Sequence, residues 1–120
     1  MKKCVLVVED EPDLRRLFGI MLSGAGYDVV DAPSGERAIE IVKESLPDAM
    51  LLDLRMPGVD GWEVLARLKK EELLESIPVI VISAHTGGDT AAAAERSGAS
   101  DYLAKPVDRE QLLSAIARVV

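Results

Sequence analysis

Residues 49–58 read Ala-Met-Leu-Leu-Asp-Leu-Arg-Met-Pro-Gly, an apolar run of four that ends in an aspartate and opens into a turn. Continuous apolar runs of this length are typical of strands that are covered on both faces of a parallel sheet. Asp53 therefore lies at the carboxyl end of a predicted buried strand. Open parallel sheets place their sites outside that end of the strands. The stretch thus predicts both a parallel sheet and a functional role for Asp53.

Three further apolar runs lead into polar side chains in the same way. The runs and the polar residues that follow them are 5–8 with Glu9 and Asp10, 79–82 with Ser83, and 102–104 with Lys105. If all four runs are parallel strands of one sheet, their carboxyl ends lie along one edge. Three carboxylates, one hydroxyl and one ammonium group then converge in a single cleft.

Helical periodicity alternates with the apolar runs. The predicted strands lie at 4–8, 27–30, 49–52, 79–82 and about 101–103. The predicted helix starts are Pro12, Ser34, Asp60 with Glu63, Thr86 with Asp89, and Asp108 with Gln111. Strands joined by helices are parallel, with right-handed crossovers. An α/β fold is therefore predicted, with five βα units forming a doubly wound five-stranded parallel sheet. The strand order 2-1-3-4-5 is one of two common orders, and composition alone does not select it.

The composition indicates one globular domain over residues 1–120, with 48% hydrophobic and 29% charged residues. Asp and Glu number 21 against 14 Lys and Arg, a net charge of −7. This balance argues against direct binding of nucleic acid or of anionic membranes by the domain. The apolar runs fall short of the roughly 18 residues of a membrane span. The single cysteine, Cys4, excludes an intrachain disulfide and is predicted to be buried. A soluble, cytoplasmic domain is expected.

The three carboxylates at the sheet edge predict a site for a hard divalent cation. Oxygen ligands with bound water suit Mg²⁺, and the lack of a His/Cys cluster argues against Zn²⁺. Asp53 beside such an ion is suited to attack a phosphorus atom and form an acyl phosphate. Like charges crowded at Glu9, Asp10 and Asp53 are expected to raise at least one pKa. The Asp53→Asn substitution is accordingly expected to stabilise the metal-free protein.

With these residues in this order, the chain resembles the receiver domain of bacterial two-component response regulators. The resemblance spans nearly the whole chain. The segments that carry it are 7–12 (Val-Val-Glu-Asp-Glu-Pro), 53–61 (Asp-Leu-Arg-Met-Pro-Gly-Val-Asp-Gly), Ser83-Ala84, and 101–106 (Asp-Tyr-Leu-Ala-Lys-Pro). It implies the flavodoxin-like receiver fold with strand order 2-1-3-4-5.

The resemblance implies that Asp53 receives a phosphoryl group in a phosphorelay. The donor would be the phosphohistidine of a sensor histidine kinase or of a phosphotransfer protein. Glu9, Asp10 and Asp53, with the backbone carbonyl of Arg55, would bind Mg²⁺, with Mn²⁺ as an alternative ion. Arg55 also occupies one of two positions that tune the lifetime of the acyl phosphate in this family. The domain would catalyse only its own phosphorylation and dephosphorylation.

The resemblance also implies a switch. Ser83 would be the switch hydroxyl, Tyr102 the switch aromatic, and Lys105 a contact of the phosphoryl group, with a cis bond to Pro106. His85 occupies the second lifetime-tuning position. The readout surface would be the fourth helix, the last strand and the last helix, which an effector domain or protein would recognise. The chain matches both a stand-alone regulator and the N-terminal receiver of a longer protein.

Three other functions fit part of the same residue pattern. A haloacid-dehalogenase-type phosphatase requires a second Asp two residues after its nucleophile, where this chain has Arg55. A flavodoxin-like cofactor carrier requires a hydroxyl- and Gly-rich loop after the first strand, where this chain has the acidic 9–11. A receiver-like interaction module that works without phosphorylation is disfavoured by the presence of Asp10, Asp53 and Lys105.

Overall fold

The computed structural model describes residues 2–84 and 88–120. Five parallel strands form one sheet in the order β2-β1-β3-β4-β5. The strands are β1 Cys4–Val8, β2 Asp28–Ala32, β3 Ala49–Asp53, β4 Val79–Ser83 and β5 Asp101–Ala104. The helices are α1 Pro12–Gly24, α2 Gly35–Glu44, α3 Gly61–Lys70, α4 Gly88–Arg96 and α5 Arg109–Val119. The predicted fold class and strand order are both confirmed.

Helices cover both faces of the sheet, which explains the continuous apolar runs. Every residue of β3 and β4 is buried, whereas the edge strands β2 and β5 are partly exposed. Alternate residues of each strand point to opposite faces. In β3, for example, Met50 and Leu52 face one core, and Ala49 and Leu51 face the other.

The two cores share the sheet and differ in the helices that close them. The core on the α2–α3 side includes Ile39, Val42, Val64, Leu65 and Leu68, with Ala94 from α4. The core on the α1–α5 side includes Phe18, Leu22, Leu112, Ala115 and Ile116. Each strand contributes side chains to both, so neither core is complete without the sheet.

The second strand begins later than predicted. Tyr27 lies outside β2 because it belongs to the end of α1, where its N–H donates to the carbonyl of Leu22 over 3.1 Å. Gly26, with φ of +97°, makes the left-handed turn that this ending requires. Asp28 is therefore the first strand residue, and β2 runs on to Ala32.

Two strands run one residue further than predicted and include their site residues. Asp53 is the last residue of β3, and Ser83 is the last residue of β4. Their backbones are thus held by the sheet, since the N–H of Leu54 donates to Ile82 and the N–H of Lys105 donates to Ser83.

Three of the predicted helix caps lie in described residues. Ser34 accepts from the Arg37 N–H, Asp60 from the Glu63 N–H, and Asp108 from the Gln111 N–H. The remaining predicted cap, Thr86, lies outside the described residues.

Asp60 and Asp108 differ in whether the residue three positions on returns a hydrogen bond. At Asp108 the reciprocal bond is also made, because the Gln111 side chain accepts from the Asp108 N–H. At Asp60 the side chain of Glu63 pairs instead with Arg67, at 2.7 Å. The likeness to a capping box therefore extends only to the Asp60 cap, because an oppositely charged partner one turn along the helix attracts the Glu63 carboxylate.

Cys4 is only half-buried, which corrects the prediction of a buried thiol. It begins β1 at the sheet's amino end, where its N–H donates to Asp48 over 2.7 Å. Burial raises the pKa of its thiol, with smaller contributions from the charges of Asp48 and Asp28. No helix among the described residues is long and apolar enough to cross a lipid bilayer.

Candidate functional site

The strand register brings the predicted site residues to one edge. Val8 of β1 pairs with Leu52 of β3, so the next residues in each chain segment, Glu9 and Asp53, are neighbours. Asp53 in turn pairs with Ile82, which places Ser83 one step beyond it. Ser83 pairs with Ala104, and Lys105 follows directly. The convergence predicted from four apolar runs is thus a consequence of parallel pairing.

Three carboxylates form a compact cluster at this edge. One oxygen from each of Glu9, Asp10 and Asp53 lies within 4.8 Å of the other two. Glu9 is 1% exposed and Asp53 is 3% exposed, whereas Asp10 is half-buried at the opening. An all-oxygen set with one member reachable from solvent suits Mg²⁺, which binds through a few carboxylates and keeps several waters.

Lys105 neutralises two of these acids. Its Nζ lies 2.9 Å from Glu9 Oε1 and 3.3 Å from Asp53 Oδ2. Burial lowers the pKa of Lys105, but the hydrogen bonds and negative charges of Glu9 and Asp53 outweigh it, so its pKa lies above the ordinary value. Lys105 therefore remains an ammonium ion, and it joins the strand ends of β1, β3 and β5.

The two buried carboxylates are also fixed by backbone N–H groups. The N–H of Glu11 donates to Glu9 Oε2, and the N–H of Arg55 donates to Asp53 Oδ1, both over 3.3 Å. Each carboxylate is thus held on both oxygens, one by Lys105 and the other by the following loop. The Arg55 residue itself is exposed. This fixation sets the direction of Asp53 before any ligand arrives.

The pKa of Asp10 lies above its ordinary value. Burial raises its pKa, and the side-chain hydrogen bond with Glu9 and the negative charge of Glu9 raise it further. One pKa in the cluster is thus raised, as expected, but burial contributes more to the rise than the like charge of Glu9 does. A divalent cation bound here would relieve this repulsion.

The other predicted site residues that the structure describes lie in β4 and β5 or follow β5. Ser83 is 1% exposed at the end of β4. Tyr102 is half-buried and packs against the core on the α2–α3 side. The Lys105–Pro106 bond is cis, as the resemblance implies. His85 lies outside the described residues.

Arg15 and Asp31 support the site, and the sequence alone does not predict their role. Arg15 donates from Nη1 to the Glu9 carbonyl over 2.9 Å and from Nε to Asp31 over 3.3 Å. Nothing in the sequence distinguishes this arginine from its neighbour Arg16. Only the fold, which places the start of α1 beside the ends of β1 and β2, joins the three residues.

Gly61 is required by the close approach of α3 to the end of β3. An ideal Cβ there would lie 2.5 Å from the Asp53 carbonyl oxygen and 2.6 Å from the Leu54 Cα. Any larger residue would push α3 away from the strand end that carries Asp53. The sequence feature that indicates this contact is a glycine at the start of a predicted helix, eight residues after Asp53.

A family model described as the response regulator receiver domain matches residues 5–117. The chain belongs to this family. The family function is phosphorylation-dependent signalling, and receiver domains bind Mg²⁺ through an acidic pocket. In this chain, Glu9, Asp10 and Asp53 form an acidic cluster.

Several curated proteins are similar over nearly the whole chain. The phosphate regulon transcriptional regulatory protein PhoB of Pseudomonas aeruginosa is 33% identical over 98% of this chain and 52% of its own length. The transcriptional regulatory protein GlrR of Escherichia coli is 37% identical over 93% of this chain and 25% of its own length. An uncharacterized 14.6 kDa protein of Leptolyngbya boryana is 37% identical over 93% of this chain and 86% of its own length. The chain thus spans about half the length of PhoB and about a quarter of the length of GlrR.

Solved receiver structures have the same fold. The chemotaxis protein CheY4 of Vibrio cholerae superposes with a TM-score of 0.92 at 26% identity, over all of both chains. The receiver domain of the response regulator NarL from Mycobacterium tuberculosis gives a TM-score of 0.89 at 36% identity, over 98% of this chain and 94% of that one.

Proposed function

We propose that Asp53 accepts a phosphoryl group from a phosphohistidine of a sensor histidine kinase or phosphotransfer protein. The observation that supports this most directly is the buried Asp53 carboxylate, fixed at the end of β3 beside Glu9, Asp10 and the ammonium group of Lys105. A carboxylate that is held in place and surrounded by charge-balancing groups is suited to covalent catalysis.

The proposed transfer forms one bond and breaks another. An Asp53 carboxylate oxygen attacks phosphorus, the P–N bond to the donor imidazole breaks, and the imidazole keeps the electron pair and takes up a proton. Lys105 balances the negative charge that arrives, and the hydroxyl of Ser83 donates to a phosphoryl oxygen. The domain promotes only this step and the later hydrolysis of its own acyl phosphate. Arg55 and His85 are proposed to set the rate of that hydrolysis.

The metal ligands are proposed to be Glu9, Asp10 and Asp53 with the backbone carbonyl of Arg55, holding Mg²⁺ or Mn²⁺. Bound metal supplies positive charge that offsets the phosphoryl oxygens. Asp10 is the most exposed of the three acids and its charge is the least compensated, so it gains most from an incoming cation.

The signal is proposed to leave through α4, β5 and α5. Ser83 ends β4 and Tyr102 lies in β5, the neighbouring strand, so a shift of Ser83 toward a phosphoryl group changes the space next to Tyr102. A local charge change is then read as a change of surface. Equal amide hydrogen exchange at residues 88–106 before and after phosphorylation would contradict this step. An effector domain or protein that recognises this surface is the proposed downstream partner.

Intact-mass measurement after incubation with acetyl phosphate and Mg²⁺ tests the acceptor. One labile phosphoryl adduct is expected, and Asp53→Asn should abolish it. Asp60→Asn is the matched control, since Asp60 lies on the following loop and asparagine caps α3 as well as aspartate does. The absence of an adduct in the unmodified protein, or its persistence in Asp53→Asn, would refute Asp53 as acceptor.

A further inference from the structure

Arg15 contacts the loop that carries two of the three clustered acids. It lies near the start of α1, and its side chain is only 19% exposed. Nη1 donates to the Glu9 carbonyl and Nε donates to Asp31 Oδ2. A mostly buried arginine side chain whose guanidinium donates to two acceptors is a fixed part of the structure. The next residue, Arg16, is exposed.

The carbonyl that Arg15 holds belongs to the peptide between Glu9 and Asp10. Because a peptide unit is planar, fixing its oxygen fixes the direction in which the chain enters Asp10. The Glu9 N–H is held as well, by the Ala32 carbonyl at the end of β2 over 3.1 Å. Asp31, the neighbour of Ala32 in β2, holds the other side of Arg15. The end of β2 therefore determines the backbone path at Glu9 and Asp10 through two separate contacts.

We propose that Arg15 and Asp31 are positioning residues for the candidate metal site. Arg15 holds the Glu9–Asp10 peptide in the orientation that presents the Asp10 carboxylate to the cation, and Asp31 holds Arg15. This inference rests on the proposed function, since it requires that the acidic cluster bind a divalent metal.

Positioning and simple electrostatics predict opposite results at Arg15. A cation beside an acidic cluster repels Mg²⁺, so if charge alone mattered, removing it would tighten binding. If Arg15 positions the loop, removing it weakens binding despite the loss of repulsion. Arg15→Met keeps the length and removes both charge and donors. Arg15→Lys keeps the charge but lacks the planar fork that reaches two acceptors at once.

Isothermal titration of the metal-free protein with Mg²⁺ measures the effect. Arg15→Met should raise the Mg²⁺ Kd about 10-fold, the lower end of the range for residues that orient metal ligands. Arg15→Lys should raise it by less, and the control Arg16→Met should leave it unchanged. Unchanged or tighter binding by Arg15→Met would overturn the proposal.

The role of Asp31 is tested by combining substitutions. Asp31→Ala should weaken Mg²⁺ binding less than Arg15→Met does, and the double variant should bind no more weakly than Arg15→Met alone. Additive losses would show that Asp31 does not act through Arg15. Asp31 is 59% exposed on an edge strand, so this variant tests the proposal even if Arg15→Met folds poorly.

Two further measurements separate positioning from general damage. In the metal-free protein, Arg15→Met should speed amide hydrogen exchange at residues 9–11, and unchanged exchange there would count against the proposal. When Arg15→Met is phosphorylated by acetyl phosphate, the Mg²⁺ concentration that gives half the maximal rate should be higher than for wild type. The phosphorylation rate at saturating Mg²⁺ should be unchanged. If the unmodified protein binds no Mg²⁺ and forms no adduct, the proposed function itself fails. If it does both and Arg15→Met matches it, only the positioning role fails.

Discussion

Lys105 is the residue on which the metal-free site depends most. It contacts two carboxylates that are almost fully buried. We expect Lys105→Met to lower the free energy of unfolding of the metal-free protein by about 2–3 kcal/mol. That is at or below the usual cost of breaking a buried pair, because the Lys105 side chain is partly exposed. Urea unfolding without metal measures this loss, and adding Mg²⁺ should recover more stability in the variant than in the wild type. A variant as stable as wild type without metal would contradict the role of Lys105 as counter-ion.

The same contact predicts a pH dependence. The pKa of Lys105 is raised in the folded state, so its stabilising effect is complete below the ordinary lysine value of 10.5 and disappears as the pH rises through the higher folded value. The difference in urea midpoint between wild type and Lys105→Met should therefore be constant near neutral pH and shrink in strongly alkaline solution. Lys69→Met, at an exposed position in α3, is the control and should show no such change.

Asp10 is the acid whose removal should stabilise the metal-free protein most. Its folded pKa lies above the ordinary value of 3.8, so stability falls as the pH rises from that value through the folded pKa, and the loss persists at neutral pH. We expect Asp10→Asn to raise the free energy of unfolding by about 1 kcal/mol at pH 7. Asp53→Asn should raise the free energy of unfolding by less, because this substitution also removes the ion pair with Lys105. Urea midpoints without metal compare the two, and a larger gain from Asp53→Asn would contradict this order.

The sequence predicts the site residues whose positions at strand ends are enough to bring them together. Glu9, Asp53, Ser83 and Lys105 all follow or end strands, and parallel pairing carries such positions to one edge whatever the details of packing. Arg15 does not follow this rule. Its role depends on where the start of α1 lies relative to β2, a distance that no local pattern encodes.

At the scale of elements, the sequence predicts that the helices exist more reliably than it predicts where they end. Helices α1, α3 and α4 end in the same hydrogen-bonded turn with one left-handed residue, which is Gly26, Glu72 and Gly98 respectively. The two glycines are recognisable in a sequence. Glu72 is not, because glutamate rarely adopts φ of +59° and its position is set by the packing of the segment that follows α3.

Glu72 therefore offers a stabilising substitution. Its N–H donates to Lys69 and the N–H of Leu73 donates to Leu68, so the turn is fixed in the left-handed form. Glu72→Gly should raise the free energy of unfolding by about 0.5–1 kcal/mol, because the relief of backbone strain exceeds the added freedom of the unfolded chain. Glu71→Gly is the control, since Glu71 has φ of −89° and gains nothing from glycine. Thermal unfolding of both variants is the measurement, and a destabilised Glu72→Gly would show that the glutamate conformation carries no strain.

At the scale of the whole molecule, the sheet joins two cores into one cooperative unit. Phe18 lies in the core on the α1–α5 side, whereas Trp62 packs against the core on the α2–α3 side. Phe18→Ala should lower the free energy of unfolding by about 3–5 kcal/mol, and Leu65→Ala in the other core by about 2–5 kcal/mol. Leu17→Ala, on the exposed face of α1, is the control and should change little.

The informative measurement is Trp62 fluorescence across a urea titration of Phe18→Ala. Every central strand buries alternate side chains in both cores, so the sheet cannot keep one core packed after losing the other. The Trp62 transition should therefore move to lower urea together with the far-ultraviolet circular dichroism transition, with the same slope as in wild type. A Trp62 transition that stays at the wild-type midpoint would mean that the two cores unfold separately. In that case a structural change at the carboxyl ends of the strands, which both cores share, would affect the α2–α3 side and the α1–α5 side independently. Coincident transitions would instead make the strand ends at Asp53 and Ser83 part of a single unit that carries the signal as a whole.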